Sequence, residues 1–172
     1  MRRVLFLFAQ LNDADIEWLM QSGKKEQLAP GAVLIREGQP VTFLSIALSG
    51  KFTVKSDADQ RVLATLEAGD VVGEMSFIDE RPPSASVTAT ENSLILKLRH
   101  ADFSRKLDRD TGFAARFYKA MAITLSNRVR DLQLRNRPGG AASGEIGELD
   151  PNAMDKIHMA GLRFQRLLQR LS

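Results

Sequence analysis

Gly73-Glu74-Met75-Ser76-Phe77, continued by Arg81-Pro82-Pro83-Ser84-Ala85-Ser86-Val87, is the stretch around which this sequence of 172 residues is organised. It combines a glycine turn, a lone carboxylate and a segment of small residues between two runs that are typical of β-strands. Small residues let backbone N–H groups approach a bound anion closely, and such groups hold phosphate oxygens. The stretch, called the cassette below (residues 73–87), therefore predicts a pocket for a small anionic ligand.

The composition argues against several other kinds of site. The sequence has no cysteine, and its two histidines, His100 and His158, lie far apart, so we expect no disulfide, no metal site and no cofactor. The net charge of +3 permits an acidic ligand but does not demand nucleic acid. The apolar run after Met1 is short and lacks a cleavage site, and no run is long enough to cross a bilayer. We therefore expect a cytoplasmic protein without membrane contact.

Short β-prone segments separated by glycine-containing turns dominate the middle of the chain. They cover residues 32–35, 43–48, 52–55, 62–66, 86–90 and 94–98, and several alternate between apolar and polar residues. This spacing predicts a mainly β fold with flanking helices, as a sandwich, a jelly roll or a small barrel.

Helical patterns flank the strands. Asn12 is a good N-cap for a first helix that Gly23 ends, and Trp18 is interpreted as packing at its edge rather than stacking on a ligand. A short helix is predicted over 101–107 and a long one over 113–135. The apolar stripe of the long helix consists of Phe117, Tyr118, Met121, Ala122, Leu125, Val129 and Leu132.

The long helix predicts self-association. It exceeds what a small sheet can cover, so we expect a homodimer through helix 113–135, with a helix folded back wholly on the barrel as the alternative. We divide the chain into a domain at 1–136, a flexible linker at 137–149 and a C-terminal amphipathic helix at 150–172. We expect the apolar seam of the last helix to dock on the dimer, rather than to act as a membrane or target helix. This seam comprises Met154, Ile157, Gly161, Phe164, Leu168 and Leu171.

Four motifs in this order resemble the cyclic-nucleotide-binding domain. They are Glu37-Gly38, Leu48-Ser49-Gly50, the run from Gly69 to Ser76, and the run from Pro82 to Val87. The resemblance covers roughly residues 5–135 and implies a jelly-roll β-barrel of that type, followed by a long helix that closes the ligand pocket.

The resemblance also implies roles for individual residues. In the family, residues after the first glycine offer backbone amides to the cyclic phosphate, a glutamate accepts a hydrogen bond from the ribose 2′-hydroxyl, and an arginine pairs with a phosphate oxygen. Gly73 and Glu74 match the glycine and the glutamate, Ser76 holds the small-residue position, and Ala85-Ser86 match the small pair that closes the cassette. The ligand-binding set so implied is Val72, Gly73, Glu74, Met75, Ser76, Arg81, Pro83, Ser84, Ala85, Ser86 and Gln133.

One position departs from the family pattern. Pro83 stands where the phosphate arginine is expected, and proline has neither a charge nor an N–H. The loss of a charge-assisted hydrogen bond predicts phosphate binding weaker by about one to two decades. Arg81 shares a face with position 83 and is either a substitute or a solvated turn residue. Gln133, the neutral amide late in the long helix, is either a contact to the base or a surface residue.

Three states of the pocket stay open: it binds a cyclic nucleotide, a different acid or nucleotide, or no ligand. The favoured interpretation is a stand-alone regulatory module that binds cAMP or cGMP and signals through its C-terminal helices to an unknown effector protein. The alternative is a ligand-free domain that acts as a dimerising scaffold for protein interactions. We expect no direct DNA binding, because the residues after Arg135 do not suffice for a helix-turn-helix, and no enzymatic activity, because no nucleophile–base pair is suggested.

Overall fold

Eight β-strands and six α-helices make up the part of the chain that the structure describes. This structure is a computed structural model, and it describes residues 4–135 and 151–171. The helices are α1 Val4–Gln10, α2 Asp13–Ser22, α3 Glu74–Asp79, α4 His100–Arg109, α5 Thr111–Arg135 and α6 Pro151–Leu171. The strands are β1 Lys24–Leu28, β2 Val33–Ile35, β3 Phe43–Ser49, β4 Lys51–Lys55, β5 Val62–Glu67, β6 Val71–Val72, β7 Ser86–Ala89 and β8 Ser93–Arg99. The predicted linker at 137–149 lies outside the described residues.

The strands form two four-stranded antiparallel sheets that face each other. Their orders are β1-β8-β3-β6 and β2-β7-β4-β5. The first sheet is buried on both faces: Leu96 and Leu98 of β8 pack against the helices, whereas Ile95, the residue before Leu96, packs against the second sheet. Because side chains alternate along a strand, this double burial accounts for the nearly continuous apolar run of β8. The predicted mainly β architecture with flanking helices is confirmed.

Four elements were not predicted: helix α1 occupies the short apolar run after Met1, and the other three each lack the pattern that defines their class. Strand β1 reads Lys-Lys-Glu-Gln-Leu and pairs only with β8 at the edge of its sheet, where charged side chains are favourable. Strand β6 has two residues, and helix α3 occupies the first part of the cassette, which the sequence suggested only as a turn. Short elements of this kind are set by the surrounding fold rather than by periodicity.

The predicted start and end of α2 are confirmed. The Asn12 side chain accepts a hydrogen bond from the Asp15 N–H at 2.9 Å, and the Asp15 carboxylate accepts one from the Asn12 N–H at 2.8 Å. This reciprocal capping box satisfies two N–H groups at the helix start, and α2 ends at the residue before Gly23. Trp18 packs edge-on against Phe103 and Phe113, with ring centroids 5.5 and 5.4 Å away, as its structural interpretation predicted.

The long helix α5 buries a different stripe from the predicted one. Among its described side chains, the buried ones are Phe113, Phe117, Ala120, Met121 and Thr124. Tyr118 and Val129, which the prediction placed on the apolar stripe, are 49% and 52% exposed. The prediction was wrong for these two residues, and also for the exposed Ala122, because it merged two adjacent faces of the helix, only one of which contacts the rest of the domain.

The C-terminal helix α6 packs on α1 and α2 of its own chain. Ala160 and Leu167 are fully buried there, and the rings of Phe164 and Phe8 lie 5.4 Å apart in an edge-to-face contact. At the surface, the Arg163 guanidinium pairs with Asp13 at 2.7 Å. The described part of α6 thus docks on its own chain, and the expected docking on a dimer stays a prediction. None of the helices in the described ranges is both long and apolar enough to cross a membrane.

Candidate functional site

The cassette begins with a glycine that the backbone geometry requires. Gly73 has φ 88°, and a Cβ atom at this position would lie 2.7 Å from the Phe43 carbonyl oxygen. A side chain is therefore excluded both by the left-handed backbone and by the adjacent strand. The turn at Gly73 connects β6 to α3 and places Glu74 at the first position of that helix, where it is buried.

The other end of the cassette is fixed by bonds to two neighbouring turns. The Pro83 carbonyl accepts a hydrogen bond from the Gly38 N–H at 2.9 Å. The Ser86 hydroxyl accepts one from the Glu37 N–H and donates one to the Asp57 carboxylate, both at 2.9 Å. These contacts hold the closing segment of the cassette against the second sheet.

A cavity of about 530 Å³ lies between the cassette, the second sheet and α5. This is within the size range of small-molecule pockets in proteins. Its apolar wall is formed by Ile35, Val54, Leu63, Ala64, Leu66, Val71 and Val87. Its polar lining consists of Glu74, Ser76, Asp79, Arg81, Ser84 and Arg128. The cavity therefore offers one apolar side and one side with both charges.

Glu74 and Arg128 form an ion pair in the wall of this cavity. The Arg128 Nη1 donates to Glu74 Oε1, and Nη2 donates to the Val71 carbonyl oxygen at 2.9 Å. The Arg128 Nε is buried and has no hydrogen-bond partner among the described residues. Burial raises the pKa of Glu74 above its ordinary value of 4.5, while the neighbouring charge of Arg128 opposes this shift and that of Asp70 adds to it.

Most of the predicted site residues meet in this cavity. Its lining includes Val72, Gly73, Glu74, Met75, Ser76, Arg81, Pro83, Ser84 and Ala85. Ser86 lies outside the lining because its hydroxyl is directed to the turns at Glu37 and Asp57. Gln133 is exposed on α5 and also lies outside the lining. The geometry gives neither of these two residues a place in the pocket.

Arg128 was not predicted as a site residue. The signal that marks it is its position: it follows Met121 by seven residues and Thr124 by four, on the buried face of α5. A charged residue on the apolar face of a helix requires a partner, because an unpaired buried charge is costly. Its partner, Glu74, is 54 residues away in the sequence, beyond the reach of motif spacing.

Comparisons with known proteins agree with this geometry. The family model described as the cyclic nucleotide-binding domain matches residues 25–110, which is half of the chain. A crystal structure of a cyclic nucleotide-binding domain from Methylobacillus flagellatus aligns with a TM-score of 0.70 at 22% identity, over 87% of this chain and 86% of that one. The predicted fold, a jelly-roll barrel of that type followed by a long helix, is confirmed.

Two relatives in sequence have different names, one an effector protein and the other a receptor protein. The Pycsar effector protein PaPycTIR of Pseudomonas aeruginosa is 38% identical over 91 residues, covering 52% of this chain. The cyclic AMP receptor protein of Thermus thermophilus is 28% identical over 131 residues, covering 74% of this chain. The chain spans 29% of the first relative and 59% of the second, so both are longer proteins that share this domain.

Proposed function

Since this chain belongs to the cyclic nucleotide-binding domain family, we propose that it is a regulatory module that binds cAMP or cGMP in the cavity beside the cassette. The observation that carries the proposal is the buried Glu74 carboxylate in the wall of a cavity of about 530 Å³. A buried carboxylate that faces such a cavity is a strong acceptor for a ligand hydroxyl, as the resemblance implies for the ribose.

The two sides of the cavity suit the two ends of a nucleotide. The apolar wall, which includes Leu63 and Val87, offers a surface for a planar base. The polar side offers the hydroxyl groups of Ser76 and Ser84 together with two charged side chains from the cassette. Pro83 lines this side without a donor, so we expect an affinity below that of a site with arginine at this position.

The relatives guide the choice of ligand. One of them is a cyclic AMP receptor protein, so cAMP is the first nucleotide to test and cGMP the second. The apolar side chains of the described lining offer no hydrogen bond that distinguishes adenine from guanine. Relative affinity for the two nucleotides is therefore an outcome of the experiment.

Isothermal titration calorimetry of the purified protein with cAMP and with cGMP tests the proposal. We expect saturable binding of at least one nucleotide, and a loss of about tenfold or more in Glu74→Gln because the ribose hydroxyl loses its charged acceptor. Glu91→Gln is the matched control, since Glu91 is exposed in the turn between β7 and β8 and lies outside the cavity lining. Binding weaker than millimolar for both nucleotides would reject this function and favour the dimerising scaffold.

We further infer that the output of the module passes through α5. This helix supplies Arg128 to the cavity and presents Tyr118 and Val129 to solvent, so it joins the ligand site to an exposed apolar surface. An exposed apolar face on a long helix favours pairing with a second copy of the helix or with an effector protein. Sedimentation velocity at tens of micromolar, with and without nucleotide, tests the homodimer, and a monomeric mass in both states argues for the effector protein.

A further inference from the structure

The charges that line the cavity pose a problem for an anionic ligand. Glu74 is buried, so a ligand phosphate entering this cavity meets a negative charge that water does not screen. Asp79 adds a second carboxylate to the lining. Position 83, where the family pattern expects an arginine, holds a proline. A positive charge from elsewhere in the chain is therefore required for tight binding.

Two arginines line the cavity in the described part of the chain, and their environments differ. Arg81 is exposed in the loop after α3, where its backbone N–H donates to Asp79 at 3.1 Å. The side chain of Arg128 is only 24% exposed and is held by Glu74 and the Val71 carbonyl. Because solvent and salt weaken the field of an exposed charge, Arg128 acts on the cavity more strongly than Arg81.

The hydrogen bonds of Arg128 leave capacity for a ligand. A guanidinium carries five N–H groups in a planar fork, and one N–H each of Nη1 and Nη2 is engaged by Glu74 and Val71. The second N–H of Nη1 and of Nη2 is therefore left for a ligand, whereas the Nε is buried and has no hydrogen-bond partner among the described residues. A planar fork can serve a carboxylate on one side and a phosphate on the other, which an ammonium group cannot do with the same geometry.

We propose that Arg128 is the cation of the ligand site, and that it supplies from α5 the positive charge that position 83 of the cassette lacks. This inference rests on the proposed function, because it concerns the same cavity. Arg128 neutralises Glu74 in the empty cavity and, with a nucleotide bound, lies between the Glu74 carboxylate and the negative charge of the ligand.

This placement ties ligand binding to the second half of α5. Among the described side chains of α5, Thr124 is the last buried one, and beyond it Arg128 is the one that hydrogen-bonds to the pocket wall. A ligand that attracts Arg128 therefore acts directly on this half of the helix. An arginine at position 83 would bind the same phosphate without such a link.

The test is a double-mutant cycle in the full chain, measured by calorimetry with cAMP and cGMP. We expect Arg128→Met to weaken binding about tenfold or more, since a charge-assisted hydrogen bond is lost. We expect Pro83→Arg to improve affinity by a larger factor in Arg128→Met than in the wild type, because the new arginine restores the missing charge. A merely structural role of Arg128 does not predict this rescue.

Three further variants complete the test. Arg130→Met is the matched control, since Arg130 is exposed on the same helix outside the cavity lining, and its affinity should stay within about twofold of the wild type. Arg81→Met should weaken binding less than Arg128→Met does. If Arg128→Met does not fold, Arg128→Gln keeps donors for Glu74 without the charge and should lose affinity by a similar factor.

The possible results separate this inference from the proposed function. If the wild type binds a nucleotide and Arg128→Met binds it within twofold of the wild type, the inference is overturned and the function stands. An equal gain from Pro83→Arg in both backgrounds, or a larger loss in Arg81→Met than in Arg128→Met, also overturns it. If the wild type binds neither nucleotide, the proposed function fails and this assignment fails with it.

Discussion

Two arginines of α5 each pair with a buried carboxylate on another element. The two ion pairs differ in how many hydrogen bonds the arginine makes to its carboxylate. Arg116 donates from Nε and Nη2 to the two carboxylate oxygens of Asp15 on α2, at 2.7 and 2.8 Å. Arg128 donates to one oxygen of Glu74 and to a backbone carbonyl, and its Nε has no partner among the described residues. The first pair lies outside the cavity lining, whereas both members of the second line the cavity.

Burial and charge alone therefore do not distinguish a structural ion pair from a binding site. Asp15 and Glu74 are almost equally buried, with side chains 2% and 3% exposed. What differs is the remaining hydrogen-bonding capacity and its access to a cavity. A bidentate pair with a further bond from a helix cap fixes a fold, whereas a pair with a spare donor beside an open volume can accept a ligand.

The largest effect is expected from breaking the structural pair. Arg116→Met leaves Asp15 buried without its cation, so we expect the free energy of unfolding to fall by about 3–5 kcal/mol. Urea denaturation followed by the fluorescence of Trp18, which packs beside α5, measures this change. Lys119→Met on the exposed side of α5 is the control. A loss below about 1 kcal/mol would show that the Arg116–Asp15 pair does not stabilise the fold and would contradict its structural role.

A smaller loss of stability is expected from a substitution of Gly73, the residue that precedes Glu74. Gly73→Ala forces a side chain into the left-handed region and towards the Phe43 carbonyl, so we expect a loss of stability of about 2–4 kcal/mol. Gly31→Ala is a matched control, because Gly31 has φ 85° but open space around it, and it should cost only about 1–2 kcal/mol. Equal losses in the two variants would show that the close approach to β3 is unimportant. Denaturant unfolding compares them.

The far end of the cassette should respond more weakly. Ser86→Ala removes the acceptor of the Glu37 N–H and the donor to Asp57, so we expect a loss of about 1–2 kcal/mol. Since Ser86 lies outside the cavity lining, the nucleotide affinity of the folded variant should change less than in Glu74→Gln. Ser49→Ala, at the exposed end of β3, serves as the control. A larger loss of affinity in Ser86→Ala than in Glu74→Gln would return Ser86 to the site.

The smallest effect is a pH dependence that belongs to the pocket pair. Burial raises the pKa of Glu74 in the folded state above its ordinary value of 4.5, so the folded protein holds this proton more tightly than the unfolded chain. The contribution of Glu74 to stability is therefore full below pH 4.5 and is lost as the pH rises through the raised pKa. The free energy of unfolding of the wild type and of Glu74→Gln, compared between pH 4 and 8, isolates the contribution of Glu74. A wild type that gains stability relative to Glu74→Gln with rising pH would contradict this sign.

The sequence predicted the framework because the framework depends on local patterns. Alternation in β8, the capping box at Asn12 and the glycine at 73 each leave a signature within a few residues. The same is true of the cassette, whose order of glycine, carboxylate and small residues led to nine of the nineteen described residues that line the cavity. These features require no knowledge of what lies across the domain.

The parts that escaped prediction depend on contacts between distant segments. The partner of Glu74 is 54 residues away on a helix, and the direction of the Ser86 hydroxyl is set by turns that precede Ser86 by 29 and 49 residues. The exposed position of Tyr118 likewise follows from which face of α5 meets the core. The local pattern of one segment does not specify which side chains of a distant segment it contacts.

One feature of α5, the exposed pair Tyr118 and Val129 on the helix that carries Arg128, has a thermodynamic consequence. If a partner grips that face and prefers one position of Arg128, it alters nucleotide affinity by the same factor by which the nucleotide alters the affinity of the partner. The local concentration of that partner then affects how much nucleotide is bound, just as the nucleotide concentration does. Through α5, the nucleotide and the partner then each change the binding of the other.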